Sequence, residues 1–586
     1  MTHRRTKIVC TLGPSTEDDA ILREIILSGM DVARLNFSHG THQGHQRNIE
    51  RIRALREELS RPIAIMLDTK GPEVRLGTFE NGKVHLEKGQ AFTLTTRNVV
   101  GNAEHASISY ADLPQDVKEG DTILIDDGLV GMTVRSLTAT DIVCTVHNEG
   151  DISDRKSVNV PDVELSMPYL SQRDKEDIAF GIRNGVDFVA ASFTRSAADI
   201  LDIRKFFSQE GRTNISIIAK IENMQGVENI DEILRVSDGI MVARGDLGVE
   251  IPLERVPVIQ KMLIHKAYSS GKQVITATQM LDSMMKNPRP TRAEAADVAN
   301  AIYDGTSAIM LSGETAAGQH PVEAVRTMAR IAMSAESDIN YRRRFKEREM
   351  DPTPDVTNAI SHATCTSAHD LGAAAILTVT KGGRTARMIS KYRPDCPIIC
   401  CTTDETVCRQ LNLSWGVTPL MIEEATNTDE LFERAVEAGE TAGLLHDGEL
   451  VVMTAGVPLG VSGSTNLMKV HVVGHILVTG TGVTEQRCYG SLCVCRSPEA
   501  ALRTFNDGDI LVIQQTNNAL LPLVRKASGL ILEDGNPNGH GAVAGMSLNI
   551  PVIIGAENAT RILKSGAVVT LDAERGVVSC NPSAIA

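Results

Sequence analysis

The chain has 586 residues and a formal net charge of −15, with 42% hydrophobic and 23% charged residues. This length and balance are typical of a globular protein with roughly three to five domains. The negative charge argues against nucleic acid as a partner, because the densest basic run, residues 342–348, is short and is interrupted by Glu347.

Three further features bear on where the chain resides. No apolar run reaches the roughly 18–20 residues that a membrane-spanning helix needs, so no membrane association is predicted. The N-terminus, MTHRRTKIVCTLG, lacks the apolar core and the small-residue cleavage site of a signal peptide. The eleven cysteines include no C-x-x-C pair, which argues against a zinc site and favours thiols kept reduced in a cytosol. We therefore predict a cytoplasmic protein.

The first 70 residues alternate strands and helices. TKIVCTLG is an apolar, β-branched run that ends at Gly13-Pro14, and residues 18–27 then show helical spacing. VARLNFS predicts a second strand, an amphipathic helix is predicted from about His45 to Leu59, and IAIMLDTK predicts a third strand.

The pattern changes after Lys70 and returns near residue 167. Residues 71–166 contain short Val/Ile/Thr runs broken by turn dipeptides such as Asn81-Gly82, which predicts an inserted small β-domain. Five more strands follow: DFVAASF, SIIAKIE, GIMVARGDLG, QVITATQM and SAIMLSGET. Three strands plus five, separated by helices and nearly continuously apolar, predict a (β/α)₈ TIM barrel from residues 1–70 and 167–343.

The remainder of the chain predicts two more α/β domains. Residues 344–473 begin with a charged linker and contain the strands AAAILTVT, PIICCT, ELVVMTAG and KVHVV. A further domain is predicted over residues 474–586. The chain contains no G-x-G-x-x-G motif, which weakens any dinucleotide-binding interpretation.

The predicted ends of the barrel strands are unusually polar. Catalytic groups of such barrels lie at the carboxyl ends of the strands, and a basin of charges is costly unless the charges pair or bind ions. On neighbouring strands, Glu222 and Asp246 would give oxygen ligands for Mg²⁺. Alternating cations and carboxylates suit phosphoryl transfer, which depends on positioning and charge neutralisation. Arg34, Asn36 and Ser38 occupy alternate positions, so we expect them to share one strand face. The polar strand ends are Arg34-x-Asn36-x-Ser38, Asp68-Thr69-Lys70, Lys220-Ile221-Glu222, Arg244-Gly245-Asp246, Thr278 and Ser312-Gly313-Glu314.

Seven motifs in the order of a known family occur along residues 1–473. They are RLNFSHG, LDTKGPEVR, AKIEN, ARGDLG, ATQML, RPTRAEAADVANA and MLSGETA. Together they resemble the pyruvate kinase family closely, including the inserted β-domain. The resemblance implies transfer of a phosphoryl group from phosphoenolpyruvate to ADP, followed by protonation of the enolate to pyruvate. It also implies a homotetramer.

The resemblance assigns roles to residues of this chain. Arg34 would bind the substrate phosphate, and Lys220 would stabilise the transferring phosphoryl group and the enolate. The backbone amides of Gly245 and Asp246, with Thr278, would bind the substrate carboxylate. The divalent ion, Mg²⁺ or Mn²⁺, would be held by Glu222 and Asp246, and K⁺ by Asn36, Ser38, Asp68 and the carbonyl of Thr69. The nucleotide phosphates would meet Asn36, Arg75 and Lys156, and the β-domain would act as a lid that excludes water.

Three further segments carry predictions. Thr380-Lys381-Gly382-Gly383-Arg384-Thr385 follows a strand and has the composition of a phosphate cradle, which in this family binds an anionic allosteric effector such as a sugar phosphate or AMP. Glu73 is the residue type that accompanies K⁺ dependence in the family, where a lysine otherwise supplies the charge. Thr291-x-x-Glu294 predicts a capping box, on a helix that in this family lies at a subunit contact.

The tail beyond about residue 474 resembles the mobile phosphohistidine domain of phosphoenolpyruvate-utilising enzymes, which some bacterial pyruvate kinases carry. The segment LILEDGNPNGHGAVAG places His540 at the phosphohistidine position of the pattern T-x-x-G-G-x-x-S-H-x-A. It departs from that pattern at Leu532, Asn536 and Gly539, so we expect His540 to have lost the small-residue and hydroxyl neighbours that would shape a phosphohistidine site. We therefore favour a structural or regulatory tail over a phosphocarrier.

Two other functions are open to the sequence. A dikinase or phosphoenolpyruvate synthase is suggested by the tail, but it needs an ATP-grasp domain for which no residues remain. A metabolite sensor on an inactive barrel would require losses among the catalytic side chains, and all of them are present: Arg34, Lys220, Glu222, Asp246 and Thr278.

Overall fold

The computed structural model describes residues 4–347, 355–458 and 465–580. They divide into two compact units, one of residues 4–347 and 380–421 and the other of residues 355–379, 422–458 and 465–580. Within the described ranges, every helix is too short or too polar to traverse a bilayer.

The first unit opens with the strands and helices that the sequence predicts. The side chain of Asp18 caps the first helix by accepting from the Ala20 N–H, and Thr41 caps the second by accepting from the Gly44 N–H. The elements are β1 (Lys7–Thr11), α1 (Asp19–Ser28), β2 (Val32–Asn36), α2 (His42–Leu59) and β3 (Ala64–Asp68).

The inserted segment folds almost entirely as β-structure around its own apolar core, which includes Phe92 and Ile123. Seven strands form one sheet in the order β4-β12-β8-β9-β10-β6-β7, and β11 pairs with β5. The elements are β4 (Val74–Arg75), β5 (Lys83–Leu86), β6 (Ala91–Thr95), β7 (His105–Ser107), α3 (Leu113–Asp116), β8 (Thr122–Ile125), β9 (Val130–Leu137), β10 (Asp141–Val146), β11 (Gly150–Ser153) and β12 (Ser157–Asn159).

Strand–helix alternation then resumes. The capping box predicted at Thr291 and Glu294 is present at the start of α10. The elements are α4 (Gln172–Arg183), β13 (Phe188–Ala191), α5 (Ala197–Gln209), β14 (Ser216–Ile221), α6 (Met224–Glu228), α7 (Ile230–Val236), β15 (Gly239–Ala243), α8 (Arg244–Glu250), α9 (Val256–Ser269), β16 (Gln273–Ala277), α10 (Arg292–Asp304), β17 (Ala308–Leu311), α11 (Gly313–Ala316), α12 (Pro321–Asp338) and α13 (Tyr341–Lys346).

Eight of these strands close into a barrel, which confirms the predicted (β/α)₈ fold. Their order is β1-β17-β16-β15-β14-β13-β3-β2, and every pairing is parallel. Most strand residues are buried, because helices cover the outside and side chains fill the inside. The carboxyl ends of all eight strands therefore meet at one mouth.

Two details of the strand ends differ from the prediction. Strand β2 ends at Asn36, so Ser38 lies in a turn and not on the strand face with Arg34; the Ser38 N–H donates to Asn36 Oδ1 at 3.1 Å. Strand β15 ends at Ala243, and Arg244, Gly245 and Asp246 form the first turn of α8.

Residues 355–472 contribute to both units. In the second unit, β18 pairs parallel with β21, and β21 pairs antiparallel with β22. In the first unit, β19 pairs parallel with β20, a strand that the sequence analysis missed because Pro419 lies within it. The elements are α14 (Val356–Leu371), β18 (Ala375–Val379), α15 (Arg384–Lys391), β19 (Ile398–Thr402), α16 (Glu405–Leu411), β20 (Val417–Met421), α17 (Thr428–Thr441), β21 (Leu450–Gly456) and β22 (Thr465–Val472).

The tail forms an eight-stranded mixed sheet in the order β23-β30-β29-β25-β26-β27-β28-β24. Helix α20 begins at His540. The elements are β23 (His475–Thr479), β24 (Thr481–Gly482), β25 (Arg487–Val494), α18 (Pro498–Thr504), β26 (Ile510–Ile513), α19 (Leu521–Val524), β27 (Gly529–Leu532), α20 (His540–Leu548), β28 (Val552–Ile554), α21 (Ala559–Ile562), β29 (Val568–Asp572) and β30 (Val577–Cys580).

Candidate active site

Lys220 lies at the centre of the charged cluster at the barrel mouth. Its Nζ is 2.9 Å from Glu222 Oε1 and 3.2 Å from Asp68 Oδ1, and it donates to Ser192 Oγ at 2.7 Å. Burial alone would lower the pKa of Lys220. The negative charges of Asp68 and Glu222 outweigh this effect and raise the pKa of Lys220 above its ordinary value. Lys220 is therefore a fixed ammonium group inside the mouth.

Arg34 is held beside it on the other side of Asp68. Arg34 Nε donates to Asp68 Oδ2 at 2.6 Å, and Nη1 donates to Thr11 Oγ1 at 2.9 Å. Burial would raise the pKa of Asp68, but Arg34 and Lys220 more than offset that effect and lower it. The two cations thus share one ionised carboxylate.

Ser192 is a member of the cluster that the sequence analysis missed. Besides accepting from Lys220, its Oγ lies 2.7 Å from the Thr69 carbonyl oxygen and 3.1 Å from Asp68 Oδ1. Ser192 directly follows β13, the barrel strand between β3 and β14. No polar residue had been predicted at the end of β13. The rule that located the other strand ends would have found Ser192 as well.

Glu222 fits the role of a cation ligand. Its Oε2 accepts from the Phe193 N–H at 2.6 Å. Its Oε1, although 2.9 Å from Lys220 Nζ, has no hydrogen bond of acceptable geometry within the described residues. Burial and the nearby Asp246 raise the pKa of Glu222 to about 7, with Lys220 opposing. A buried carboxylate oxygen with a spare lone pair, beside a second carboxylate, is the donor set that a hard divalent cation requires.

Thr278 and Gly245 meet at the ends of β16 and β15. The Gly245 N–H donates to Thr278 Oγ1 at 2.8 Å. Thr278 and Gln279 have φ angles of 67° and 52°, in the left-handed region that a β-branched residue rarely adopts. Arg244 holds this turn, because its Nη2 donates to the Thr278 carbonyl at 2.7 Å and its Nη1 to Asp297 Oδ1 at 2.7 Å. Backbone strain of this kind is typical of functional sites.

The predicted K⁺ ligands lie on the neighbouring ends of β2 and β3. Asn36 and Asp68 are paired in register, and the Phe37 N–H donates to the Asp68 carbonyl at 3.0 Å. Asn36 Oδ1, the Ser38 hydroxyl, Asp68 and the Thr69 carbonyl supply only oxygen donors, which suits a hard monovalent cation.

The end of the eighth strand does not contribute to this cluster. Glu314 is buried, and its carboxylate accepts from the Leu281 N–H at 3.0 Å and the Ser312 N–H at 2.7 Å. The Glu314 carboxylate therefore links two backbone segments and has a structural role. Its prediction as one of the charges that face the substrate was wrong.

A cleft of ≈ 380 Å³ separates the inserted β-domain from the barrel mouth. Arg75 and Asp246 both line it, together with Glu73, whose Oε2 accepts from Arg75 Nε at 2.7 Å. Lys156, the other predicted nucleotide contact, instead forms an ion pair with Asp126 at 2.9 Å and does not line the cleft in this conformation.

The predicted phosphate cradle, residues 380–385, leads into α15. Thr380 Oγ1 accepts from the Gly383 N–H at 3.1 Å, and Gly383 has a φ of 75°. The Gly382 carbonyl accepts from Arg387 Nη2 at 3.0 Å. The Thr380 side chain and the glycine thus form a tight turn, with Lys381 in the turn and Arg384 at the first residue of α15.

His540 in the tail has both ring nitrogens in hydrogen bonds. Nδ1 is 2.9 Å from Thr516 Oγ1, and Nε2 is 3.0 Å from Asn518 Oδ1. The sequence pattern predicted that His540 had lost its hydroxyl neighbour, because Gly539 replaces a serine. That inference was wrong, since Thr516 supplies a hydroxyl from a different segment.

The fold and the site define a class of protein: a parallel (β/α)₈ barrel whose mouth carries paired cations and carboxylates of the kind that suit an anionic substrate. Comparison with known families is more specific. Residues 3–325 match the pyruvate kinase barrel domain, residues 358–471 the pyruvate kinase alpha/beta domain, and residues 505–576 the mobile domain of PEP-utilising enzymes.

Individual relatives agree. The chain is 49% identical over 581 residues to a pyruvate kinase of Sporosarcina psychrophila, and 49% identical over 577 residues to one of Geobacillus stearothermophilus; each match covers 98% of both chains. The crystal structure of a pyruvate kinase from Cryptosporidium parvum superposes with a TM-score of 0.77 at 41% identity, covering 80% of this chain and 96% of that one. The chain belongs to the pyruvate kinase family, and it is a phosphotransferase, as the seven motifs predicted.

Proposed function

We propose that this chain transfers the phosphoryl group of phosphoenolpyruvate to ADP and releases pyruvate and ATP, the last step of glycolysis, in the cytoplasm. The observation that carries the proposal is the buried ammonium group of Lys220, fixed at the barrel mouth between Asp68 and Glu222. A permanent positive charge at this point neutralises the charge that develops on the phosphoryl group and on the enolate.

The substrate would be bound by groups that already converge. Arg34 would bind its phosphate in the bidentate manner typical of guanidinium groups. The substrate carboxylate would accept hydrogen bonds from the backbone N–H groups of Gly245 and Asp246 and from the Thr278 hydroxyl. On binding, the Gly245 N–H would give up its hydrogen bond to Thr278 and donate to the substrate instead. Because Arg244 fixes the turn at Thr278, these donors need little reorganisation when the substrate binds.

Members of this family need a divalent ion and K⁺. In this chain Glu222 and Asp246 would hold Mg²⁺ or Mn²⁺. The feature that supports this assignment is the buried Glu222 Oε1, which lies beside Lys220 but accepts no hydrogen bond within the described residues. Asn36, Ser38, Asp68 and the Thr69 carbonyl would hold K⁺. When bound, the ions supply charge neutralisation and orientation for the phosphate oxygens.

The nucleotide would occupy the cleft beneath the inserted β-domain. Asn36 and Arg75 would contact its phosphates. When the inserted β-domain closes, Lys156 would leave its ion pair with Asp126 and contact the nucleotide phosphates as well. Closure excludes water, which otherwise competes with ADP as the phosphoryl acceptor. We propose domain limits of 1–70 with 167–343, 71–166, 344–473 and 474–586.

Regulation would act through residues 380–385. Their hydroxyls, glycines and two cations suit an anionic effector, a sugar phosphate or AMP, in a homotetramer whose states differ in affinity for it. The tail would be structural or regulatory, because both ring nitrogens of His540 are already engaged.

A coupled assay of pyruvate release separates this function from its alternatives. We expect pyruvate from phosphoenolpyruvate with ADP, Mg²⁺ and K⁺, and none when ADP is replaced by AMP with either inorganic phosphate or pyrophosphate. Activity with AMP and pyrophosphate would indicate a dikinase, and activity with AMP and inorganic phosphate a phosphoenolpyruvate synthase. Binding of phosphoenolpyruvate without turnover would indicate a metabolite sensor.

A further inference from the structure

A second large cavity lies at the opposite end of the barrel from the active site. Its volume is ≈ 700 Å³, and we call it the basal cavity. Its walls come from the end of α2 and the residues that lead into β3, β13 and β14, which are the amino-terminal ends of those strands, and from α16 and β20. The lining segments lie within residues 53–62, 182–186, 212–215 and 405–421.

The basal cavity has a surplus of positive charge. Two carboxylates line it, Glu57 and Glu405, and a third, Asp187, is buried behind it. Five arginines line the cavity: Arg53, Arg56, Arg61, Arg212 and Arg409. Even if all three carboxylates are ionised, two of the five positive charges have no carboxylate to balance them.

The contacts within this cluster show that the charge is not fully compensated. Arg409 Nε donates to Asp187 Oδ1 at 2.7 Å, whereas Arg56 Nη2 is 3.8 Å from Asp187 Oδ2. The buried Nε of Arg56 has no hydrogen-bond partner within the described part of the chain. Burial, together with the nearby Arg409 and Arg53, lowers the pKa of Arg56 to about 10 against the opposing effect of Asp187. A buried donor without a partner is costly unless a ligand satisfies it.

The remaining wall is apolar. It includes Ile182, Val186, Ile215, Leu420 and Met421, and the last of these is 44% exposed. Small-molecule sites typically combine such an apolar wall with a few convergent polar groups, within a volume of roughly 300–1,000 Å³. Arginine forks are suited to the paired oxygens of a phosphate.

We propose that the basal cavity binds a phosphate monoester that carries a compact apolar or aromatic group. The phosphate meets the arginines near Arg56 and Arg212, and the apolar group packs on Val186 and Met421. This site is separate from the barrel mouth and from residues 380–385, and it does not depend on the assignment of the catalytic reaction.

The test is calorimetric titration of the full-length protein carrying Lys381→Ala and Arg384→Ala, so that binding to residues 380–385 cannot contribute. Phenyl phosphate is the probe, inorganic phosphate tests the charge alone, and glycerol phosphate tests an ester without an apolar group. Arg212 and Met421 are exposed enough to be replaced without opening the core, and circular dichroism confirms that each variant is folded.

We expect phenyl phosphate to bind more tightly than the other two compounds. Arg212→Gln removes a charged hydrogen-bond donor, and Met421→Glu adds a negative charge at the apolar wall; each weakens binding by about 10-fold or more. The matched control is Arg135→Gln, which removes an exposed arginine of the inserted β-domain. We expect it to leave the affinity for phenyl phosphate unchanged.

Three results would overturn the proposal. Phenyl phosphate that fails to bind shows that the basal cavity is not a phosphate site. Binding that survives both Arg212→Gln and Met421→Glu places the ligand elsewhere, including the barrel mouth. Equal affinity for inorganic phosphate and phenyl phosphate shows that the apolar wall has no part in recognition.

Discussion

Replacing Lys220 with methionine tests the proposed catalytic centre most sharply. The Lys220 Nζ is within 3.2 Å of Asp68, Glu222 and Ser192. The substitution therefore removes one positive charge and leaves two buried carboxylates. Loss of one group that stabilises developing charge lowers kcat by about 10²–10³-fold. Because Lys220 is assigned both to the phosphoryl group and to the enolate, we expect Lys220→Met to reach or exceed the upper limit.

The same substitution has a cost in stability. Removing one partner of a buried ion pair destabilises a protein by about 3–5 kcal/mol. Arg34 still contacts Asp68 at 2.6 Å, so we expect a loss near the lower end of that range. Urea unfolding measures it, and Mn²⁺ titration shows whether Glu222 and Asp246 still bind the divalent ion, as we expect.

Ser192→Ala is the matched control, because it removes one hydrogen bond to Lys220 and keeps the charge. A hydrogen bond to a charged group is worth about 1.5–3 kcal/mol. Because Lys220 keeps its contacts with Asp68 and Glu222, we expect a loss near the lower limit, roughly 10-fold in kcat. Initial rates of pyruvate formation at saturating substrates compare the two. If folded Lys220→Met turns over at nearly the wild-type rate, Lys220 has no part in the chemistry.

The remaining predictions concern other parts of the chain. Activity should require K⁺, and Glu73→Lys should lessen that requirement by placing a positive charge in the cleft that Glu73 lines; full wild-type activity in K⁺-free buffer would refute this. Lys381→Ala with Arg384→Ala should abolish activation by a sugar phosphate or AMP while the maximal rate survives; a normal response to the activator would place the effector elsewhere. Thr291→Ala removes an N-cap that accepts from the Glu294 N–H and should lower the free energy of unfolding by about 1 kcal/mol; an unchanged urea midpoint would contradict it. A chain ending near Gly474 should keep its activity, and His540→Ala should leave turnover unchanged; acid-labile phosphate on His540, with activity lost on its removal, would show that the tail is a working phosphocarrier.

The sequence was sufficient to predict the barrel and most of the charged cluster at its mouth. The barrel strands are nearly continuous apolar runs, and the polar residues that follow them must meet at one mouth once the strands are parallel. This reasoning brought Lys220, Asp68 and Arg34 together correctly.

The parts that sequence reasoning did not reach depend on tertiary contacts. Glu314 looked like a catalytic carboxylate, but its neighbours are backbone N–H groups that only the fold brings to it. The hydroxyl near His540 comes from Thr516, in a segment 24 residues away. The basal cavity is lined by arginines from three separate stretches of chain, and no local pattern indicates that they converge.

The most direct test of the central claim is to follow the phosphoryl group itself. Wild-type protein is incubated with [³²P]phosphoenolpyruvate, ADP, Mg²⁺ and K⁺, and the label is traced among ATP, inorganic phosphate and protein while pyruvate is measured in parallel. We predict that the label appears in the γ-phosphate of ATP in equimolar amounts with pyruvate. Label that appears as inorganic phosphate, or pyruvate that forms without ATP, would contradict the proposed transfer at the barrel mouth.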